Sequence, residues 1–433
     1  MDLLTINDQP GSYPASYYAA SATALEPFPI AQGNLACDVC VVGGGFTGLS
    51  TALHLAQRGY DVILIEAQRV GFGASGRNGG QVGQGQRVDQ EELENMLGVD
   101  HARDLWSIAN QSIELVRDLA KSDLVNADFH DGIIHADHRK RYVPHSRDYV
   151  RKLNDDYGYD RVRFLNAEEC RYLVNSPAYH GGSIDMYAGH IHPLELALGL
   201  ARMAVAAGVR VFEQTRMREL VHGAPAMVNT DQAQIRADHV VLGCNGYLGN
   251  LNRHVAERVM PINNYIVATE PMSPEAQEDL IRNNHAVADS KFVVNYFRFS
   301  DDHRLLFGGT ESYRYKFPRD IAGAVRRPML EIYPQLKETR IDFAWGGTLG
   351  ITMNRMPHFE RLAGNVISCS GFSGHGVAMA TLSGQIAAEA ISGQAERFDL
   401  MANVPTPTFP GGPALRSPLL VLAMLWFSLR DKL

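Results

Sequence analysis

The chain has 433 residues, 45% of them hydrophobic and 20% charged, with a formal net charge of −8. That length supports roughly two to three domain-sized units with substantial cores, and the composition is that of an ordinary globular protein. The acidic balance, with no dense block of Lys and Arg, excludes a nucleic-acid groove, and five scattered cysteines suit a reducing cytoplasm.

The opening residues, MDLLTINDQPGSYPASYY, show no basic region followed by an apolar stretch, so no secretory signal is expected. Residues 1–35 read as an extended arm lying on the body, anchored by Tyr13, Tyr17 and Tyr18. Cys37 and Cys40 form a C-x-x-C, but at the mouth of a strand, where residues three apart point to opposite faces. With no second Cys/His pair at ligand spacing, the pair reads as structural.

The next stretch, DVCVVGGGFTGLSTALHLAQRGYDVILIE, organises the rest of the chain. Residues 39–42 are an apolar run typical of a buried parallel strand. They break into Gly43-Gly44-Gly45-Phe46-Thr47-Gly48, which fits G-x-G-x-x-G, followed by a helix bearing Leu49, Leu53 and Ala56 on one face. A second strand, 62–65, ends on Glu66, 23 positions after the first glycine. Gly43 permits the tight turn, Gly45 lets backbone approach a pyrophosphate, and Gly48 lets the helix pack close to the strand. The helix N-terminus offers free N–H groups and partial positive charge to phosphate. Glu66 would accept hydrogen bonds from a ribose diol. The pattern predicts an adenine dinucleotide site but does not by itself separate FAD from NAD.

Residues 71–81, GFGASGRNGGQ, hold five glycines in eleven positions. A stretch so poor in side chains suits backbone packed flat on a large planar ligand, with Ser75, Arg77 and Asn78 offering polar contacts; the competing reading is a flexible loop. Helix is expected over 91–121, a strand at 132–136, a buried helix over 194–207, and strands at 209–212 and 238–243. Between 255 and 345 the texture changes to alternating strands (262–269, 291–299, 304–307 and 340–344), which is antiparallel material. A buried strand at 365–370 then runs into Gly371-Phe372-Ser373-Gly374-His375-Gly376 and a helix over 377–391. The run 419–427 is too short to span a bilayer; it reads as a packed terminal helix or a weak peripheral membrane contact.

Several segments together resemble the D-amino-acid-oxidase-like FAD oxidoreductases, which include glycine and sarcosine oxidases. They are Ser16-Tyr17-Tyr18-Ala19-Ala20-Ser21, the 38–66 unit, GFGASGRNGG (71–80), GHIHPL (189–194), 245–249, 345–357, GFSGHGV (371–377) and the tail from Ala395. The resemblance runs from about residue 16 to the last residue. It implies an α/β fold: a Rossmann-like FAD-binding domain built from 16–90, 165–250 and 340–433, and a mainly antiparallel-sheet substrate domain from 91–164 and 251–339. It further implies that Gly43, Gly45, Phe46, Thr47, Gly48, Glu66 and Ala67 hold the ADP half, with Met217 supplying backbone to the adenine. Gly73, Ala74, Ser75, Arg77, Asn78, Gly79 and Gly80 would lie along the flavin with Asn245 and Gly246. Gly371, Phe372, Ser373, Gly374, Gly376 and Val377 would face its pyrimidine edge.

His375 is the side chain there that could add a proton or charge, a catalytic role set against simple hydrogen bonding within its loop. Amino-acid oxidases of the family hold a substrate α-carboxylate with two arginines, and at the corresponding places this chain has Tyr296-Phe297-Arg298 with Ser300, and Thr348-Leu349. The missing clamp fits an amine whose carboxylate lies far from the reacting carbon, with Tyr296, Phe297, Arg298 and Trp345 as pocket wall. Some relatives attach flavin through a cysteine near Gly346 and Gly347; none stands there, so non-covalent FAD is expected. The resemblance implies oxidation of the primary amine of γ-glutamylputrescine, or a related γ-glutamylated polyamine, to an aldehyde with release of ammonia and hydrogen peroxide, dioxygen being the partner. The alternatives are a same-fold amine or amino-acid dehydrogenase passing electrons to a quinone and, in a different class, a flavin-binding protein without turnover.

Overall fold

The computed structural model describes residues 2–410. The strand Gly33–Val42 lies at the middle of a sheet ordered His358–Ala363, Val366–Ser370, Ala233–Leu242, Gly33–Val42, Val62–Ile65, Arg210–Phe212. Every neighbouring pair is parallel except the first. Residues 39–42 are buried, as an unbroken apolar run must be when helices and loops cover both faces. The chain's course along the sheet reverses at this strand, so a crevice opens beyond its C-terminal end, where Gly43 begins.

Three helices, Phe46–Gln57, Pro193–Ala206 and Gly376–Ile391, join in one apolar cluster with the sheet. The first and last cross closely because Gly384 has no side chain: a Cβ there would lie 2.4 Å from the Thr47 carbonyl. Pro193 opens its helix, where a missing N–H costs nothing, and the His192 ring caps it by accepting from Glu195 N–H. Across the sheet a second cluster gathers Met217, Val228, Ile235 and Leu248 beneath a β-ribbon.

The second sheet runs Ile341–Ile351, Met260–Thr269, Leu305–Ser312, Tyr296–Phe299, Ala286–Asp289, His130–Ala136, Gly182–His190, Gln81–Val82. It is antiparallel but for the step between Ala286–Asp289 and His130–Ala136. Its alternation divides two environments. Ile266, Leu306 and Trp345 join the cluster shared with the dinucleotide-binding half. Tyr265, Phe297 and Phe307 turn the other way, onto the helix Ile321–Ile332.

Two strands fall across the expected boundaries. Gly182–His190 and Ile341–Ile351 both belong to the second sheet, although they lie in stretches expected to build the FAD-binding half. Both pair with long antiparallel partners remote in sequence, which composition does not reveal. The helix expected over 91–121 is two, Gln90–Leu97 and Val99–Ala120, parted at Gly98 with φ +86°. The second packs into the dinucleotide-half cluster rather than with the other sheet. The strand expected from 291 starts at Tyr296, because Asp289 accepts from the N–H groups of Lys291 and Asn295 and folds the intervening residues into a turn.

The N-terminal arm is docked. Tyr17 and Tyr18 are buried, and the Tyr13 hydroxyl donates to the Val70 carbonyl at 2.7 Å. Among the described residues no helix is long and apolar enough to cross a membrane. The run 419–427 lies outside the described residues, as does the end of the 340–433 segment.

Candidate active site

The crevice beyond Gly33–Val42 is lined by Val42, Gly43, Gly45, Glu66, Ala67, Gly73, Ala74, Ser75, Met217, Gly243, Cys244 and Asn245. Three glycines at its mouth and in the helix turn behind it work by what they lack. Gly43 sits at φ +110°, a region closed to most side chains. A Cβ on Gly48 would lie 1.8 Å from the Gly43 carbonyl, so only glycine lets the helix Phe46–Gln57 start this close to the strand. A Cβ on Gly45 would approach Ser75 Oγ to 2.9 Å and fill the cradle at the helix N-terminus. Ser75 Oγ accepts from Phe46 N–H at 3.0 Å there. Thr47 is buried in the same first turn.

Glu66 is shaped for a diol. Its Oε2 accepts from Gly44 N–H at 2.7 Å and its Oε1 from Gln68 N–H at 2.8 Å, which fixes the carboxylate at the crevice wall. Burial pushes its pKa up, and the two backbone donors pull against that shift. A glycine cradle on a helix N-terminus, with a fixed acid one strand away, fits an adenine dinucleotide. Leu4, Phe72, Thr215, Arg216 and Tyr247 also line the crevice. They went unforeseen because the arm and the two loops carry no periodic signal.

The glycine-rich stretch that follows is held by its own polar residues. Asn78 Nδ2 donates to the carbonyls of Ala74 and Ser75, and its Oδ1 accepts from Gly80 N–H. Arg77, expected to offer contacts along the flavin, is 2% exposed and directs its donors into protein. It reaches the Phe72 and Gly346 carbonyls and both carboxylate oxygens of Asp8. Its role is to clamp the bed to the second sheet and the arm. Trp345 completes the clamp by donating Nε1–H to the Arg77 carbonyl at 3.0 Å; at 2% exposure it supports the bed rather than walling a pocket.

The 371–377 loop abuts the crevice through Asn245, whose Oδ1 accepts from Gly371 N–H at 3.0 Å; Gly246 packs on the backbone of residues 349–350. Ser373 adopts φ +53° and accepts from Thr352 N–H, while Phe372 and Val377 are buried. Exposed Gly374 and then Gly376 lead into Gly376–Ile391, whose N-terminus has no side-chain cap. His375 Nε2 is 3.0 Å from the Gln84 carbonyl, and its ring fills the space a Cβ on Gly83 would need. Burial lowers its pKa to about 4, with Arg87 adding to the effect, so the ring is neutral near pH 7. That geometry favours the hydrogen-bonding role over a charged one.

The expected pocket wall divides along the strand Tyr296–Phe299. Tyr296 faces the bed: Cβ atoms on Gly79 or Gly308 would strike its ring, and its hydroxyl donates to Asn264 Oδ1. Phe297 does not line a pocket. One position along a strand reverses the side chain, and it stacks on Phe307 in the far core at 1% exposure. Arg298 returns to the bed side but is 4% exposed and fully engaged. It donates to the carbonyls of Gly79, Ile191 and Phe299 and to the Tyr18 hydroxyl. It is a clamp on the bed and the 189–194 segment. Cys37, of the C-x-x-C, is pushed up to about 12 by burial and holds no thiolate at neutral pH.

Comparison with known proteins agrees with this geometry. The chain is 41% identical over 96% of its length to a probable oxidoreductase, OrdL, of Rhizobium meliloti, covering 97% of that protein. It is 40% identical over 97% of its length to the gamma-glutamylputrescine oxidoreductase of Escherichia coli, covering 98% of it. In fold it is similar to the glycine oxidase of Geobacillus kaustophilus, with a TM-score of 0.71 at 20% identity over 83% of this chain and 95% of that one. It is also similar to the L-proline dehydrogenase of P. horikoshii, with a TM-score of 0.68 at 21% identity over 85% and 94%. Residues 38–390 match the family described as FAD dependent oxidoreductase (DAO), so the dinucleotide is FAD and the chain belongs to that family of flavoprotein oxidoreductases.

Proposed function

We propose that the protein oxidises the primary amine of γ-glutamylputrescine, or of a related γ-glutamylated polyamine, in the cytoplasm. The amine carbon loses two electrons as hydride, the imine is hydrolysed to aldehyde and ammonia, and dioxygen takes the electrons to become hydrogen peroxide. The observation that carries this reading is the 40% identity to the Escherichia coli gamma-glutamylputrescine oxidoreductase, spread over 97% of the chain and so including the substrate half. FAD, when bound, supplies the hydride acceptor.

The chain's own residues have narrower tasks. The helix turn after Gly45 takes the pyrophosphate and Glu66 the ribose. The 79–80 backbone and Tyr296 give a flat, largely apolar bed beside the reacting amine. The N-terminus of Gly376–Ile391 lends positive potential to one edge of that bed, which favours an electron-rich ring. His375, neutral near pH 7, holds the 83–84 backbone against the loop. Alignment and exclusion of water then matter more than a strong base. The cysteines at 37, 40, 170, 244 and 369 are all free, and none neighbours Gly346 or Gly347 in sequence, which supports non-covalent FAD.

The test is anaerobic mixing of purified holoenzyme with γ-glutamylputrescine, free putrescine, sarcosine or glycine, followed by air and peroxide detection. Bleaching of the flavin by the glutamylated amine, with peroxide on aeration, is the expected result. Bleaching by sarcosine or glycine instead would overturn the substrate. Bleaching that air does not reverse would overturn dioxygen as acceptor.

A further inference from the structure

The FAD crevice has one wall that belongs to neither sheet. Leu4, from the N-terminal arm, is buried and lines the crevice together with Thr215, Arg216 and Met217. Its position is fixed from both sides. The Asp2 carboxylate pairs with Arg216, and its Oδ1 also accepts from Leu4 N–H at 3.1 Å. Gln68 commits both ends of its amide to the arm: Nε2 donates to the Leu4 carbonyl and Oε1 accepts from Gly11 N–H, each at 2.7 Å. The backbone N–H of the same Gln68 is a donor that fixes Glu66 Oε1. The arm and the acid on the crevice wall therefore hang on one residue.

From Leu4 the arm crosses to the other half of the molecule. Asn7 Nδ2 donates to the Tyr315 carbonyl and its Oδ1 accepts from Phe317 N–H, each at 2.8 Å. The Phe317 ring in turn fills the space that a Cβ on Gly346 would need. Asp8 meets Arg77 of the bed through both carboxylate oxygens at 3.0 Å. Between Asp2 and Asp8 the arm thus touches the crevice, the bed and the loop that follows Leu305–Ser312. It contains no helix or strand there, and side chains make its ties to the body. A segment held in this way opens without disturbing either sheet. Exposed Gln9 and Pro10, followed by Gly11 at φ +73°, supply the pivot.

We propose that residues 2–11 are a clasp on the cofactor: Leu4 closes over the nucleotide end of FAD, and opening of the arm sets how fast FAD enters and leaves. The proposal stands apart from the choice of substrate. A crevice wall built from sheet is in place before the ligand arrives, whereas one hung on side-chain ties parts to admit a large dinucleotide and shuts behind it. Leu4 meets the cofactor only while those ties are made, so FAD binding and arm closure favour each other. Asn7 carries the coupling onward, because its two bonds make occupancy of the crevice felt at Phe317.

The test has two parts, and the first needs no variant. Hydrogen exchange is followed in the full chain with and without FAD, in peptides carrying the amides of Leu4, Gly11 and Phe317, which the ties protect. FAD is expected to slow exchange there about tenfold, with little change in the helix Ile321–Ile332. Equal exchange with and without FAD, or slowing of the same size in that helix, overturns the clasp. The second part measures release of FAD from diluted holoenzyme by the rise in flavin fluorescence. Leu4→Ala should release FAD about tenfold faster and Asn7→Ala about fivefold faster, the latter although Asn7 does not line the crevice. Faster release from Leu4→Ala with wild-type release from Asn7→Ala would make Leu4 a fixed wall and overturn the clasp. Wild-type release from both variants overturns it as well.

Discussion

The nucleotide end of the crevice is made of backbone, and the bed beyond it is closed by side chains. Gly43, Gly45 and Gly48 act by removing Cβ atoms within one turn of chain, so their spacing is written locally and any reader of the sequence can find it. Tyr296, Arg298 and Trp345 reach the bed only because the fold brings strands remote in sequence beside residues 77–80. Local geometry announces the cofactor; tertiary geometry assembles the rest of the bed.

The sharpest way to break this comparison is Gly48→Val. Its Cβ would sit 1.8 Å from the Gly43 carbonyl, and backbone on both sides cannot yield. We expect loss of FAD and destabilisation of about 3 kcal/mol, read from the flavin-to-protein absorbance ratio and thermal unfolding. A yellow variant with the wild-type melting temperature would mean the turn tolerates side chains after all.

Next in size is Arg298→Met, which leaves the carbonyls of Gly79, Ile191 and Phe299 without their donor. The expected cost is about 2–4 kcal/mol in denaturant unfolding. In the surviving holoenzyme the KM for amine should stay within about threefold of wild type. A large rise in KM with unchanged stability would return Arg298 to the substrate wall.

Glu66→Gln gives a smaller change. One amide oxygen cannot serve the Gly44 and Gln68 donors as two carboxylate oxygens do, so FAD should bind about tenfold more weakly, roughly 1.4 kcal/mol, by dialysis or titration of the apoprotein.

The least effect is expected of His375→Gln. The folded pKa of about 4 lies below the ordinary 6.5, so the ring carries no proton at neutral pH. The rate of flavin reduction should change less than about threefold, and its pH profile above pH 7 should not move. The linkage sign follows from a depressed base. As pH falls from 6.5 toward about 4, the unfolded chain takes up a proton that the folded one refuses, and stability drops across that window. The variant should lose less stability there than wild type. A new break in its pH–rate profile near neutrality would restore a charged role.

The same contrast explains what could be read in advance. The strand Val62–Ile65 and the helices after the two glycine loops emerged from apolar runs bounded by glycine, because local sterics and burial act within a few residues. Phe297 could not be placed, since a one-residue change of phase on a short strand sends a side chain to the opposite face, and no signal in FRF fixes the phase. Arg77 and Arg298 looked like ligand contacts because arginine beside glycine invites that reading; only the fold shows every donor of Arg298 turned toward carbonyls and Tyr18 or His190.

The central strand has a bearing on how the molecule comes into being. Gly33 is in register with Ala233, and the strand beyond Ala233–Leu242 is Val366–Ser370. During synthesis the glycine turn that receives the pyrophosphate is therefore among the first parts made, and the sheet that supports it among the last completed. Closing such long loops is slow, and the early strand waits with an unpaired edge. Flavin supply during translation, rather than after it, should therefore govern the yield of soluble protein.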